Sequence, residues 1–199
     1  MKRLSGIVAG LLAVALTVFG CAYVPPQGEG WISLFDGTSL DNWTRVSGAN
    51  WTLQSGVVHA EISTTKGSSF LVSKNAYKDF VLRVEFWVSD DANSGIYFRC
   101  SNLKNITDRT CYEANIYDQR SDPRYGTGAI QHLAQVNPMP RAGGKWNVYE
   151  IWAQGPELTV KLNGQVTAYT RDMQFASGPI ALQWGGGIVR FRKVDIKPL

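Results

Sequence analysis

Apolar residues fall into short blocks separated by polar, glycine-rich stretches, and in several blocks apolar and polar positions alternate. Val57-Val-His-Ala-Glu-Ile62 and Leu158-Thr-Val-Lys-Leu162 show the two-residue period that puts one face of a strand against a core. Strands are predicted over 31–35, 51–54, 57–62, 70–73, 80–89, 95–100 and 111–118, then over 128–133, 146–153, 158–162, 165–169, 180–183 and 188–196. Asn163-Gly164, between two of them, is the dipeptide that a tight hairpin turn favours. Only 73–79 and 172–176 suit a helical turn. So many short strands with no second boundary predict an all-β domain, a two-sheet antiparallel β-sandwich or jelly roll.

The pattern differs at the N-terminus. Met1-Lys2-Arg3 is positive and 4–20 carries no charge, which is the layout of a secretory signal peptide. A membrane anchor is the rival, but it needs about 20 apolar residues, and this run contains Ser5, Gly6, Gly10 and Thr17. Val18-Phe19-Gly20-Cys21 resembles a bacterial lipobox, with Phe19 bulkier than usual. Cys21 would then carry lipid and become the new N-terminus; cleavage after Ala22 is the alternative. The expected organisation is a signal peptide over 1–20, a lipidated tether over 21–30 and one domain over 31–199. Its expected place is the bacterial cell envelope, facing the periplasm or the outer surface, with the membrane as a partner through Cys21.

Composition agrees with strands and turns. The 199 residues include 20 Gly, 8 Pro, 7 Trp, 8 Tyr and 8 Phe, with 44% hydrophobic and 18% charged. That mixture argues against a disordered tail or a coiled coil. Two His and three Cys are too few for an array of zinc fingers. The net charge of +4 hints at a polyanionic partner, but Lys2 and Arg3 leave with the signal peptide and no acid does. The count of 20 basic and 16 acidic groups becomes 18 and 16, a net of +2. Arg190, Arg192 and Lys193 alternate with apolar residues and read as a solvated strand face. Nucleic acid is therefore not an expected partner.

Export also bears on the remaining cysteines. Cys100 and Cys111 end one predicted strand and begin the next, so a disulfide across the mouth of a hairpin is expected in an oxidising compartment. Two buried free thiols are the alternative.

Candidate chemistry concentrates in Cys111-Tyr-Glu-Ala-Asn-Ile-Tyr-Asp118. On a strand Glu113 and Asn115 share a face, and a bulge would return Asp118 to it. Two carboxylates on one rigid strand can serve as acid and base across a sugar bond. Their spacing copies the E-x-D-x-x-E signature of laminarinase-like glucanases, with Asn and Asp in place of the last two acids. If Cys100 and Cys111 pair directly across the ladder, Glu113 lies opposite Phe98, and an Arg99–Glu113 pair then requires a bulge. Glu85 and Glu150 stand inside apolar blocks, on a solvent face or in a cleft. His132 is one of two imidazoles able to move protons near neutral pH. Trp184, beside Gly185-Gly-Gly187, is the best stacking platform for a sugar ring.

The order of segments resembles the 3-keto-disaccharide hydrolase domain family. The resemblance rests on Gly30-Trp-Ile-Ser-Leu-Phe-Asp-Gly-Thr-Ser-Leu-Asp-Asn-Trp43, Asp79-Phe-Val-Leu-Arg-Val-Glu85, Asn93-Ser-Gly-Ile-Tyr-Phe-Arg99 and Tyr112-Glu-Ala-Asn-Ile-Tyr-Asp118. It continues through Thr127-Gly-Ala-Ile130, Lys145-Trp-Asn-Val-Tyr-Glu-Ile151, Leu162-Asn-Gly164, Gly178-Pro-Ile-Ala-Leu-Gln183 and 189–199. It implies a concanavalin-like lectin and glucanase sandwich and hydrolysis of a disaccharide or glycoside already oxidised at C3. A C3 ketone acidifies the C2 proton, so a base can remove it and the C1 oxygen can leave. Glu113 and Asp118 are the expected acid–base pair. Arg99, His132, Glu85, Gln183 and Trp184 are the expected substrate contacts. The enolate needs hydrogen-bond donors or a divalent metal, and no residue set assigns a metal. The chain departs from the family in having Trp184-Gly-Gly-Gly187 where a His-Gly is common, and Asn115 where Gln is usual. A cysteine pair is not general there. A non-catalytic carbohydrate-binding module on the same sandwich is the competing expectation, and a structural envelope domain the third.

Overall fold

The alternating blocks become thirteen strands in a computed structural model that describes residues 28–63 and 66–199. The expected signal peptide over 1–20, Cys21 and most of the expected tether lie outside the described residues. One sheet contains β1 (Ile32–Phe35), β3 (Ala49–Gln54), β4 (Val57–Ser63), β6 (Phe80–Val88), β9 (Trp146–Gln154), β10 (Glu157–Leu162), β11 (Gln165–Arg171) and β13 (Val189–Pro198). Its order is β11-β10-β9-β6-β13-β4-β3, with β1 also on β13. The second sheet contains β2 (Trp43–Val46), β5 (Ser69–Tyr77), β7 (Ser94–Phe98), β8 (Tyr112–Ile116) and β12 (Gly178–Trp184), in the order β2-β5-β12-β7-β8. All the strand pairings named within these sheets are antiparallel.

One apolar core lies between the sheets. Phe80, Leu82, Val84, Phe86 and Val88 alternate into it from β6, and Leu71, Ile96, Phe98, Tyr112, Ala114, Ile116, Ile180 and Leu182 meet them from the five-stranded sheet. Asn163 and Gly164 take the positive φ values, 51° and 83°, of the expected hairpin turn, joining Leu162 to Gln165. The outward face of the eight-stranded sheet is polar, as its C-terminal sequence suggests. Lys161, Glu150, Arg83 and Asp195 face one another across four strands with alternating charge. Arg190 stacks on Trp87 and Arg192 on Trp146, with guanidinium-to-ring distances of 4.6 Å and 4.2 Å.

Three local expectations change. Residues 73–77 continue β5 instead of turning helically, because Ala76 and Tyr77 pair with Pro179 and Gly178. Trp43–Val46 forms β2, whose alternation is hidden by Thr44 and Arg45. The segment 128–133 adds isolated bridges rather than a full strand, with Ile130 pairing to Ala114 and to Ala134.

The Cys100–Cys111 disulfide forms. The register beside it is one residue away from direct pairing: Tyr97 faces Glu113 and Phe98 faces Tyr112. Arg99 causes the slip. Its φ of +51° takes one residue out of the ladder as a bulge. An arginine in that conformation is sterically costly, and its side chain holds it there. Only 1% exposed, Arg99 donates to the carbonyls of Lys78, Gly155 and Phe175 and to the Asp79 carboxylate.

Candidate functional site

The slip decides where Glu113 points. Ile96 and Phe98 face the core, so Tyr97 faces outward, and its cross-strand partner Glu113 goes with it. A second apolar cluster covers this outer face: Phe70, Val72, Tyr97, Cys100, Cys111 and Ala181, with Val46 and Ile106 against it. Ile106 belongs to the 101–110 loop, which the disulfide clamps at both ends. The loop folds back over the sheet. Leu103 helps line a hollow of about 280 Å³ with Thr44, Val46, Val72, Ser73, Lys74 and Pro179.

Glu113 is 6% exposed. Burial pushes its carboxyl up to about 8, and the Asp108 carboxylate pushes the same way. A hydrogen bond from Tyr97 and the charge of Arg120 oppose the rise without cancelling it. At neutral pH Glu113 is therefore mostly a protonated acid. Tyr97 is held strongly as a phenol by its own burial and by Glu113. Its oxygen accepts from Gln183 Nε2 at 3.1 Å, and the same amide reaches Ser68 Oγ at 3.1 Å. Glu113, Tyr97 and Gln183 thus form one chain across β8, β7 and β12.

Gln131 completes the wall, a residue that sequence reasoning missed. Its N–H donates to the Glu113 carbonyl and its Nε2 to the Tyr125 carbonyl. Asn115 donates to that same carbonyl. The Oε1 atoms of Gln131 and Gln183 are buried without a hydrogen-bond partner. Its sequence signal is its place beside the Thr127-Gly-Ala-Ile130 motif, where the pattern predicts an ordinary strand.

The other expected residues fall elsewhere. Asp118 lies beyond the end of β8 and accepts from Thr127 Oγ1 at 2.6 Å and from the N–H groups of Ala142 and Gly143 at 2.9 Å. Its oxygens tie the 127–143 segment in place, and these bonds do not run to the Glu113 chain. Arg99 is fixed in the bulge. Glu85 sits on the outward face of the opposite sheet, paired to Arg192 at 2.5 Å. Trp184 is half-buried: it packs against the main core, and its indole N–H donates to the Gly187 carbonyl. His132 stands at the rim. Its Nε2 meets Asp108 at 2.8 Å and its Nδ1 meets an Arg109 nitrogen at 3.3 Å. Arginine only donates, so Nδ1 accepts and Nε2 carries the proton toward Asp108. Asp108 also acts electrostatically on Glu113, which links the rim to the buried acid. Among the described residues no group of three or more His, Cys, Asp or Glu could hold a metal ion.

Two antiparallel sheets packed in this way form a concanavalin-like sandwich. Residues 30–197 match the 3-keto-alpha-glucoside-1,2-lyase-like domain, and the chain belongs to that family. No curated protein matches the chain. A provisional glycosyl hydrolase of Parabacteroides distasonis has a similar structure, with a TM-score of 0.74 and 19% identity over 86% of this chain and 94% of its own. A carbohydrate-binding module of Bacillus subtilis, CBM66, gives 0.62 and 19% over 78% and 95%. A β-glucanase of Bacillus licheniformis gives 0.61 and 14% over 87% and 100%. At these identities the three show the shared fold.

Proposed function

We propose that the protein is an exported hydrolase acting on 3-keto-glycosides, with Glu113 as its proton-transferring group. The observation that carries the reading is a buried, largely protonated carboxyl, hydrogen-bonded to Tyr97, in a chain of this family. In its ionised form Glu113 takes the C2 proton of the sugar, and the electron pair moves onto the C3 oxygen as an enolate. The enolate collapses, the C1–O bond breaks, and the leaving oxygen takes the proton from Glu113. Water then adds across the C1–C2 double bond, oxygen to C1 and hydrogen to C2. One water is consumed and one glycosidic bond is lost. A carboxyl that titrates near working pH suits both halves of this exchange.

Asp118 acts as a support of the 127–143 segment, while Gln183 holds the Tyr97 hydroxyl and Gln131 the Glu113 backbone. The test is turnover of a chromogenic 3-keto-α-glucoside against the unoxidised glucoside. Glu113→Gln should lower turnover by about 10²–10⁴-fold, with the protein still folded. Retention of full activity by that variant would remove Glu113 from the mechanism.

The binding-module reading is favoured by the similarity to CBM66. One feature weighs against it: Glu113 is buried instead of facing solvent. Binding of unoxidised glycosides with no turnover of either sugar would establish it. Lipid anchoring through Cys21 belongs to the same proposal, and mass spectrometry finding an unmodified Tyr23 N-terminus would exclude it.

A further inference from the structure

Gly95 is the second residue of β7, opposite Asn115 on β8. A glycine inside a strand weakens it, so one kept there needs a reason. The backbone supplies none, since Gly95 is not among the residues with positive φ. Space supplies one. A Cβ at position 95 would stand 2.6 Å from Glu113 Oε1, 3.1 Å from its Cγ and 3.2 Å from its Cδ, and these are its three nearest atoms. The carboxyl of Glu113 thus leans across from β8 and lies over the bare backbone of β7. There it reaches the Tyr97 hydroxyl, which Gln183 in turn contacts.

We propose that Gly95 is a positioning residue for Glu113: its missing side chain is the seat of the carboxyl, and a methyl group there turns the carboxyl out of the Tyr97–Gln183 chain. The clash is with the mobile end of a side chain, so Gly95→Ala is met by rotating Glu113 and not by breaking the sheet. The charged or titratable groups around the seat are Tyr97 from β7, Asp108 from the clamped loop, Arg120 from the segment after β8 and Tyr149 from β9. The three nearest contacts of a methyl group at 95 are all with Glu113 and not with these groups. Burial is the first cause of Glu113's high proton affinity. A carboxyl turned toward solvent loses it, and its titration moves down toward 4.5.

The inference rests on the same site as the proposed hydrolase, but its test does not depend on activity. Thermal unfolding of wild type, Gly95→Ala, Glu113→Ala and the double variant forms a cycle. Gly95→Ala should lower the Tm when Glu113 is present and leave it unchanged or higher in the Glu113→Ala background. If Gly95→Ala alone does not fold, folding of the double variant supports the seat, and failure of both overturns it. An equal loss of Tm in both backgrounds also overturns it. NMR titration of labelled Glu carboxyls should show the Glu113 midpoint falling by at least one pH unit in Gly95→Ala; an unmoved midpoint contradicts the seat. With the chromogenic 3-keto-α-glucoside, kcat should fall about 100-fold with little change in KM. A wild type that turns over nothing, with the Tm cycle and the titration as expected, would end the hydrolase reading and leave the seat standing.

Discussion

At the scale of single residues, Glu113 couples the site to stability. An unfolded chain releases this proton near pH 4.5, whereas the folded protein keeps it to about 8. The folded state therefore binds more protons across that window, and stability falls as pH rises through it, levelling off above 8. The slope is at most about 1.4 kcal/mol per pH unit. Denaturant unfolding of wild type and Glu113→Gln at pH 5, 7 and 9 measures it, and the variant should lack this component. Tyr97→Phe removes a donor that lowers the Glu113 titration, so its midpoint should move further up, with any activity limb that reports it. Asp118→Asn replaces an acceptor of several N–H and O–H donors by an amide that supplies one oxygen. A loss of about 1–3 kcal/mol is expected, with faster hydrogen exchange confined to 127–143.

Among elements, β7, the Arg99 bulge, the clamped loop and β8 act together. The loop closes twelve residues with a disulfide, and opening it by Cys100→Ser with Cys111→Ser should cost about 3 kcal/mol. The loop also carries Ile106 onto the apolar cluster and Asp108 toward Glu113. Its release should therefore hydrate Glu113 and lower its titration midpoint, which NMR can follow alongside unfolding. These elements also mark where sequence stops informing. The strands, the Asn163-Gly164 turn and the cysteine pair were legible because each depends on local pattern. The register of β7 on β8 was not, because it depends on a buried arginine whose four acceptors lie at Lys78, Asp79, Gly155 and Phe175. Read without that bulge, Glu113 falls on the face of Ile96 and Phe98. For the same reason the sequence does not show that Arg99, an expected substrate contact, is occupied by these acceptors.

Across the whole molecule, the two outward faces have separate characters. The eight-stranded sheet presents alternating charges and arginines stacked on tryptophans. The five-stranded sheet presents an apolar cluster with one buried acid. Glu85 and Glu113 both interrupt apolar blocks, and sequence alone places them alike. Strand order puts them on opposite sides, since β6 lies inside the large sheet and β8 at the edge of the small one. Fold class was readable from strand number because a chain of this length with this many short strands has few alternatives. The candidate site was readable only as far as Glu113 and Gln183. Tyr97, Gln131 and Gly95 join it through cross-strand neighbours far apart in sequence.

The bulge at Arg99 has a bearing on how such a domain can diversify. A strand admits two parities, and the left-handed residue chooses the one that keeps the acid outside the core. The loop after it lies outside the ladder, so its length and composition can drift without changing that choice. Regularising the strand at position 99 would instead bury the acid among Phe98 and Ile96. Variation in the covering loop and constancy in the facing of the acid are thus separable.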